Sequence, residues 1–216
     1  MPISHEHRCL FVHIPKTGGT SIETALGMYS RGNRENVDRL FGAVRSSDLK
    51  RLGLGSGYLQ HLTLLEMHAV RPDWPFADYF SFSFVRNPWD RMVSSFSKKD
   101  AHLLREARGR GVELEELSFE DYVRATGEIE HAHLRPQAEF VTDADGEVAV
   151  DFVGRFESLA EDFQEVCKRA GIQKQLPHEK KSLRSERDYR RYYDAATRRV
   201  IEDRYRRDID LFDYEF

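Results

Sequence analysis

Cysteine is nearly missing from this chain: Cys9 and Cys167 are the only two in 216 residues. Two thiols so far apart make no disulfide framework, and they read as structural groups of a protein kept in a reducing compartment. No Cys/His group has zinc spacing, so no metal is expected. A long apolar run is missing at the start, where Met1-Pro2-Ile3-Ser4-His5-Glu6-His7-Arg8 is polar and leads straight into a strand-like stretch. The expectation is a protein without secretory signal or membrane anchor, located in the cytoplasm. A strongly basic balance is missing too. The net charge of −4 offers no broad positive field to a nucleic acid, so any anionic ligand must be met by cations concentrated locally. With no internal repeat and no low-complexity linker, residues 1–216 read as one domain with a substantial core.

What is present is concentrated in two segments. In the first, the apolar run Cys9-Leu10-Phe11-Val12-His13-Ile14 is bounded by Pro15 and reads as a strand buried on both faces of an α/β sheet. The chain then turns through Lys16-Thr17-Gly18-Gly19-Thr20-Ser21. Gly18 and Gly19 permit positive φ and close approach of backbone N–H groups to a ligand. Thr20 with Glu23 matches a capping box, which predicts a helix from about Thr20 through Leu26. A glycine-led helix start, with one lysine and three hydroxyls around it, suits a phosphate. The segment fails the Walker A pattern, because lysine here precedes the glycines.

The second segment repeats the logic. Tyr79 through Val85 is aromatic and partly alternating, as in a strand. Asn87 can cap a helix, Pro88 suits its first position, and Trp89, Met92, Val93 and Phe96 recur at helical spacing. Arg86 therefore stands where the strand ends, able to grip a phosphate with parallel hydrogen bonds, and Ser94 lies about two turns into the helix. The alternative is that Arg86 pairs with Asp90.

Together these segments resemble the two cofactor-binding elements of sulfotransferases that use 3′-phosphoadenosine 5′-phosphosulfate. The similarity is to the carbohydrate (Golgi-type) branch, with its Pro-Lys-Thr-Gly-Gly-Thr loop and Arg-Asn-Pro-Trp-Asp-Arg segment. His133-Leu134-Arg135-Pro136-Gln137, the run from Asp151 to Leu159 and the ending from Tyr205 to Phe216 are similar as well, so the likeness spans most of the chain. The resemblance implies that Lys16, Thr17, Gly18, Gly19, Thr20 and Ser21 hold the 5′-phosphosulfate, and that Arg86 and Ser94 bind the 3′-phosphate. Lys16 would also offset charge growing on the leaving phosphate. A late loop carrying Lys181, Ser182 and Arg184 would close over the nucleotide. Arg135, Gln137 and His133 would face the acceptor, a hydroxyl-bearing small molecule or saccharide. The lack of an anchor departs from animal Golgi relatives and points to a cytoplasmic, bacterial enzyme.

Transfer to a hydroxyl also needs a proton acceptor, for which histidine is suited. His61 is the choice, in Gln60-His61-Leu62-Thr63 ahead of a Thr63/Glu66 capping box and between the two cofactor elements. His68 and His133 are its rivals, with Glu66 a weaker one. Elsewhere, Asp143-Ala144-Asp145-Gly146 predicts a hairpin turn into a strand over 148–153, and Ser158 with Glu161 predicts a capped helix ending at Gly171. The resulting architecture is α/β: a three-layer P-loop-like sulfotransferase domain with a mainly parallel central sheet flanked by helices. A P-loop-like phosphotransferase is the first alternative, though no magnesium-ligand pair is evident. A non-catalytic nucleotide-binding protein is the second.

Overall fold

A computed structural model of the chain describes residues 2–28, 59–70, 72, 74–177 and 188–216. In chain order these form β1 (Ile3–Ser4), β2 (Cys9–Val12), α1 (Gly19–Ala25), α2 (Leu64–Val70), β3 (Phe80–Val85), α3 (Pro88–Ser97), α4 (Ala101–Gly109), α5 (Phe119–Ala125), α6 (Ala138–Val141), β4 (Phe152–Arg155), α7 (Leu159–Arg169), α8 (Ala195–Arg204) and α9 (Arg206–Phe212). They gather into two compact units, one built from 1–85 with 137–179 and the other from 86–136 with 180–216.

The first unit holds the sheet, ordered β1-β2-β3-β4. β2, β3 and β4 are parallel, with Phe11 opposite Phe82 and Ser83 opposite Val153, while the two-residue β1 adds an antiparallel edge to β2. The mainly parallel sheet expected from the apolar runs is present. Parallel strands covered on both faces need side chains that tolerate complete burial. Cys9, Leu10, Phe11 and Val12 accordingly lie inside, and Phe11 stacks on Phe82 at 5.1 Å. At seven residues α1 is too short to persist alone. It is held by burial of Ile22 and Leu26 against Phe84, Leu159 and Phe163, each such aliphatic side chain contributing about 1.5–3 kcal/mol.

Helix starts and stops follow the sequence in part. The Thr63/Glu66 capping box forms in both directions, Thr63 N donating to Glu66 Oε2 at 2.8 Å and Glu66 N to Thr63 Oγ1 at 3.1 Å. Gly171, at φ 67°, ends α7 as expected, with Ile172 N reaching back to the Cys167 carbonyl at 2.8 Å. The Thr20/Glu23 box does not form. Gly18 in the left-handed conformation already caps α1, so Thr20 lies inside the helix and Glu23 is engaged elsewhere. Nor does Glu161 serve Ser158: the carboxylate of Asp162, one residue on, takes the Ser158 hydroxyl at 2.9 Å and the Arg155 amide at 2.6 Å. The turn at Asp143–Gly146 is present, but it closes a single Thr142–Val148 bridge, and the following strand begins at Phe152.

The second unit is helical. Asn87 caps α3 by accepting from Trp89 N at 3.1 Å and Asp90 N at 3.4 Å, with Pro88 at the first position, as the sequence predicts. Trp89, Met92 and Val93 then pack with Leu103, Tyr122, Ile201 and Tyr205. Arg91 is buried beneath them. Its Nη2 donates to the carbonyls of His133 at 3.3 Å and Arg135 at 2.9 Å, burial lowers its pKa, and Tyr205 and Asp208 partly oppose that shift. Among the described residues, no helix is long and apolar enough to cross a membrane.

Candidate active site

β2 ends at Val12, and the next residues form the loop singled out above. φ is positive at Lys16 (74°) and Gly18 (86°) and not at the residues between and after them. Such alternation turns successive amide N–H groups to one side, the concavity that anions occupy. Only glycine takes Gly18's conformation without strain, and a β-carbon there would also stand 2.8 Å from Leu159 Cδ2. Lys16 holds its left-handed conformation despite a cost of about 1–2 kcal/mol. Thr17 is fully buried, its hydroxyl donating to the Ile14 carbonyl at 2.8 Å, which pins the loop to the strand end. Thr20 is exposed, and Lys16, Gly18 and Ser21 are partly exposed. The loop therefore presents a cation and two hydroxyls, while Thr17 acts inward.

His61 closes a one-turn 3-10 helix, Leu59–His61, and is buried. Its Nδ1 lies 3.0 Å from the backbone carbonyl of His13. A carbonyl only accepts, so this bond places the proton on Nδ1 and leaves the neutral ring's lone pair on Nε2, with Gln60 Nε2 3.5 Å away. The bond spans 48 positions in sequence and joins the base chosen from the sequence to the strand tip that leads into the Lys16 loop. The rivals are placed differently. Glu66 is committed to its capping box, and exposed His68 packs its ring on Phe76 at 4.4 Å. His133 lies in the second unit, its amide donating to His131 Nδ1 at 3.2 Å.

Two site neighbours escaped the sequence reading. His13, the polar residue in an apolar strand run, directs Nδ1 at Glu23 Oε1 across 2.6 Å, both side chains being less than a tenth exposed. Its ring also stands against His61 edge-on at 4.6 Å. The available signal was a histidine interrupting a buried strand with an acid ten positions later. It was masked because Glu23 also fits a capping box.

Arg86 and Ser94 belong to the second unit. Arg86 is buried and donates from Nε and Nη2 to Asp90 Oδ2, each at 2.7 Å, which is the ion-pair alternative weighed for it. Ser94 is partly exposed on α3. Of the residues expected to face an acceptor, Arg135 and His133 are partly exposed, whereas Gln137 is fully enclosed just ahead of α6 and offers no amide to solvent. Lys181, Ser182 and Arg184 lie outside the described residues. Among the described residues there is no group of three or more His, Cys, Asp or Glu side chains able to hold a metal ion.

Comparison with known proteins agrees with the motif resemblance. The Sulfotransferase family model matches residues 1–215. Carbohydrate sulfotransferase 10 of Gallus gallus is 25% identical over 98% of this chain and 65% of its own length. The Xenopus laevis protein of that name is 26% identical over 99% of this chain and 66% of its own, and the Homo sapiens one 25% identical over 79% and 52%. The chain thus spans about half to two thirds of the length of these relatives. No solved structure matches it. A family model that takes in all but one residue settles the membership: this chain belongs to the sulfotransferase family.

Proposed function

We propose that the protein transfers a sulfuryl group from 3′-phosphoadenosine 5′-phosphosulfate to a hydroxyl of a saccharide or similar small acceptor. The observation that carries this reading is the hydrogen bond from His61 to His13, which ties a proton acceptor to the same strand tip that bears the Lys16 loop. The donor would supply an activated sulfuryl group on a highly anionic leaving nucleotide. The loop fits such a group, since positive φ at Lys16 and Gly18 gathers N–H donors beside a lysine and the Thr20 and Ser21 hydroxyls. Lys16 stabilises negative charge on the departing phosphate oxygen, an interaction stronger in the transition state than in the ground state and worth about 10²–10³ in kcat. His61, held as its Nδ1–H tautomer, takes the acceptor's proton at Nε2. Arg86 and Ser94 are assigned to the 3′-phosphate, Lys181, Ser182 and Arg184 to closure over the nucleotide, and Arg135 and His133 to the acceptor. A single three-layer, P-loop-like domain and a cytoplasmic location belong to the same proposal.

The test is thermal stabilisation by 3′-phosphoadenosine 5′-phosphate, compared with adenosine triphosphate plus magnesium. A hundredfold excess over the dissociation constant stabilises by about 2.7 kcal/mol. A shift with the bisphosphate alone supports the sulfotransferase reading. A shift only with the triphosphate and magnesium favours a kinase, and no shift with either contradicts both.

A further inference from the structure

The His13 ring is fixed on every side the structure describes. Glu23 Oε1 holds its Nδ1 at 2.6 Å, Phe11 stacks on its face at 5.2 Å and 14°, and His61 meets it edge-on at 4.6 Å and 68°. On the Nε2 side stands Gly19, where a β-carbon would fall 2.0 Å from that nitrogen. Nδ1 is therefore taken by Glu23, and the Nε2 edge of the ring lies against the Gly19 backbone. Yet the same residue gives His61 its hydrogen-bond acceptor, the main-chain carbonyl, and one wall of its pocket. A buried polar pair is a poor source of net stability, because desolvation of both partners offsets their attraction. Two apolar side chains of similar size would fill this place at no loss. A reason for the polar pair must lie in what it orients.

We propose that Glu23 and His13 form the positioning element of the His61 base: Glu23 locks the His13 ring, and His13 in turn holds His61 as the Nδ1–H tautomer while fixing it to the Gly18–Gly19 turn. Its catalytic meaning rests on the transferase reading above. Its physical content, a tautomer set by a residue pair that Glu23 anchors without touching His61 through any bond the structure describes, stands apart from turnover. Glu23 is the fifth residue of α1, about one helical turn beyond Gly19, so the helix that begins at the anion loop carries the anchor. A displacement of the loop is thereby felt at the base through a short path of packed groups.

The experiment compares the full-length wild type with His13→Phe/Glu23→Leu and with Glu23→Gln. The double variant keeps ring volume, the position-13 carbonyl and an apolar filler, so it removes the pair without stranding a buried charge. The imidazole nitrogen spectrum, with His61 assigned by its loss in His61→Gln, reports the tautomer directly. The wild type is expected to show His61 protonated on Nδ1, the form that free neutral histidine disfavours. The double variant keeps the carbonyl but not the ring that Glu23 anchors, so the His61 ring is expected to lose its fixed place against that carbonyl and the Nδ1–H bias with it, and kcat is expected to fall at least tenfold while affinity for 3′-phosphoadenosine 5′-phosphate stays within about twofold. Glu23→Gln, whose amide oxygen still accepts from His13, should restore most of both. An unchanged His61 tautomer in the folded double variant overturns the inference, as does a wild type with the proton on Nε2. A wild type that shows the Nδ1–H form and yet sulfates no acceptor contradicts the transferase reading and leaves the positioning pair supported.

Discussion

Gly19 has no room for a side chain because the His13 imidazole occupies the place: an ideal β-carbon on Gly19 would lie 2.0 Å from His13 Nε2. Gly19→Ala therefore drives the ring out of its bond with Glu23 or shifts the start of α1. Overpacking of this kind costs about 1–3 kcal/mol. Chemical denaturation should show the loss, and affinity for 3′-phosphoadenosine 5′-phosphate should fall with it. A Gly19→Ala protein of wild-type stability would mean that the close approach is not obligatory.

Lys16 sits at φ 74°, where a non-glycine residue is strained. Lys16→Gly relieves that strain while removing the cation. Stability should stay within about 1 kcal/mol of wild type, since the relief offsets glycine's larger unfolded-state entropy. Turnover should drop by about 10²–10³. Steady-state kinetics beside a thermal melt checks both; a destabilised protein with normal turnover would remove Lys16 from the chemistry.

Arg86 spends Nε and Nη2 on Asp90 in this structure. If the guanidinium also meets the 3′-phosphate, Arg86→Ala should weaken binding of 3′-phosphoadenosine 5′-phosphate by tenfold or more and leave adenosine 5′-phosphosulfate, which lacks that phosphate, within about twofold. Equal loss for the two nucleotides would assign Arg86 to the ion pair alone.

Cys9 is fully enclosed, and burial, with a smaller contribution from Cys167, pushes its thiol from 9.0 up to about 12. The folded state therefore keeps this proton where the unfolded chain has released it. The stabilisation is complete below pH 9 and is lost as pH rises towards 12, at up to about 1.4 kcal/mol per pH unit. Cys9→Ala should flatten the alkaline limb of a stability profile, whatever its effect at neutral pH. In the native protein at pH 8, neither thiol should react with a disulfide reagent.

How far the sequence could be read depended on whether a signal was local. The apolar runs ending at Ile14 and Val85 placed β2, which stops two residues earlier at Val12, and β3, because buried parallel strands have little choice of composition. Asn87-Pro88 and Thr63/Glu66 placed two helix starts, since a cap is a contact between near neighbours. Glu161 and Asp162 show the limit. Both acids lie within reach of Ser158, and only the third partner, the Arg155 amide, decides in favour of Asp162. Glu23 shows the same limit across a longer span. Its spacing from Thr20 fits a cap, but a cap cannot compete once Gly18 adopts the left-handed conformation and His13 presents a donor. His61 was chosen from its place between motifs, whereas the carbonyl that fixes its tautomer is a tertiary fact without local trace. Arg91, buried under α3 against two carbonyls, likewise looks like any other charge in its run.

The most direct measurement follows labelled sulfate from 3′-phosphoadenosine 5′-phosphosulfate onto a panel of saccharide acceptors, for wild type, Lys16→Ala and His61→Ala. The account predicts a labelled sulfate ester with wild type, and loss of most turnover in both variants while His61→Ala still binds 3′-phosphoadenosine 5′-phosphate at near-normal affinity. Transfer by His61→Ala at the wild-type rate, or no transfer by a wild type that binds the bisphosphate tightly, would contradict it.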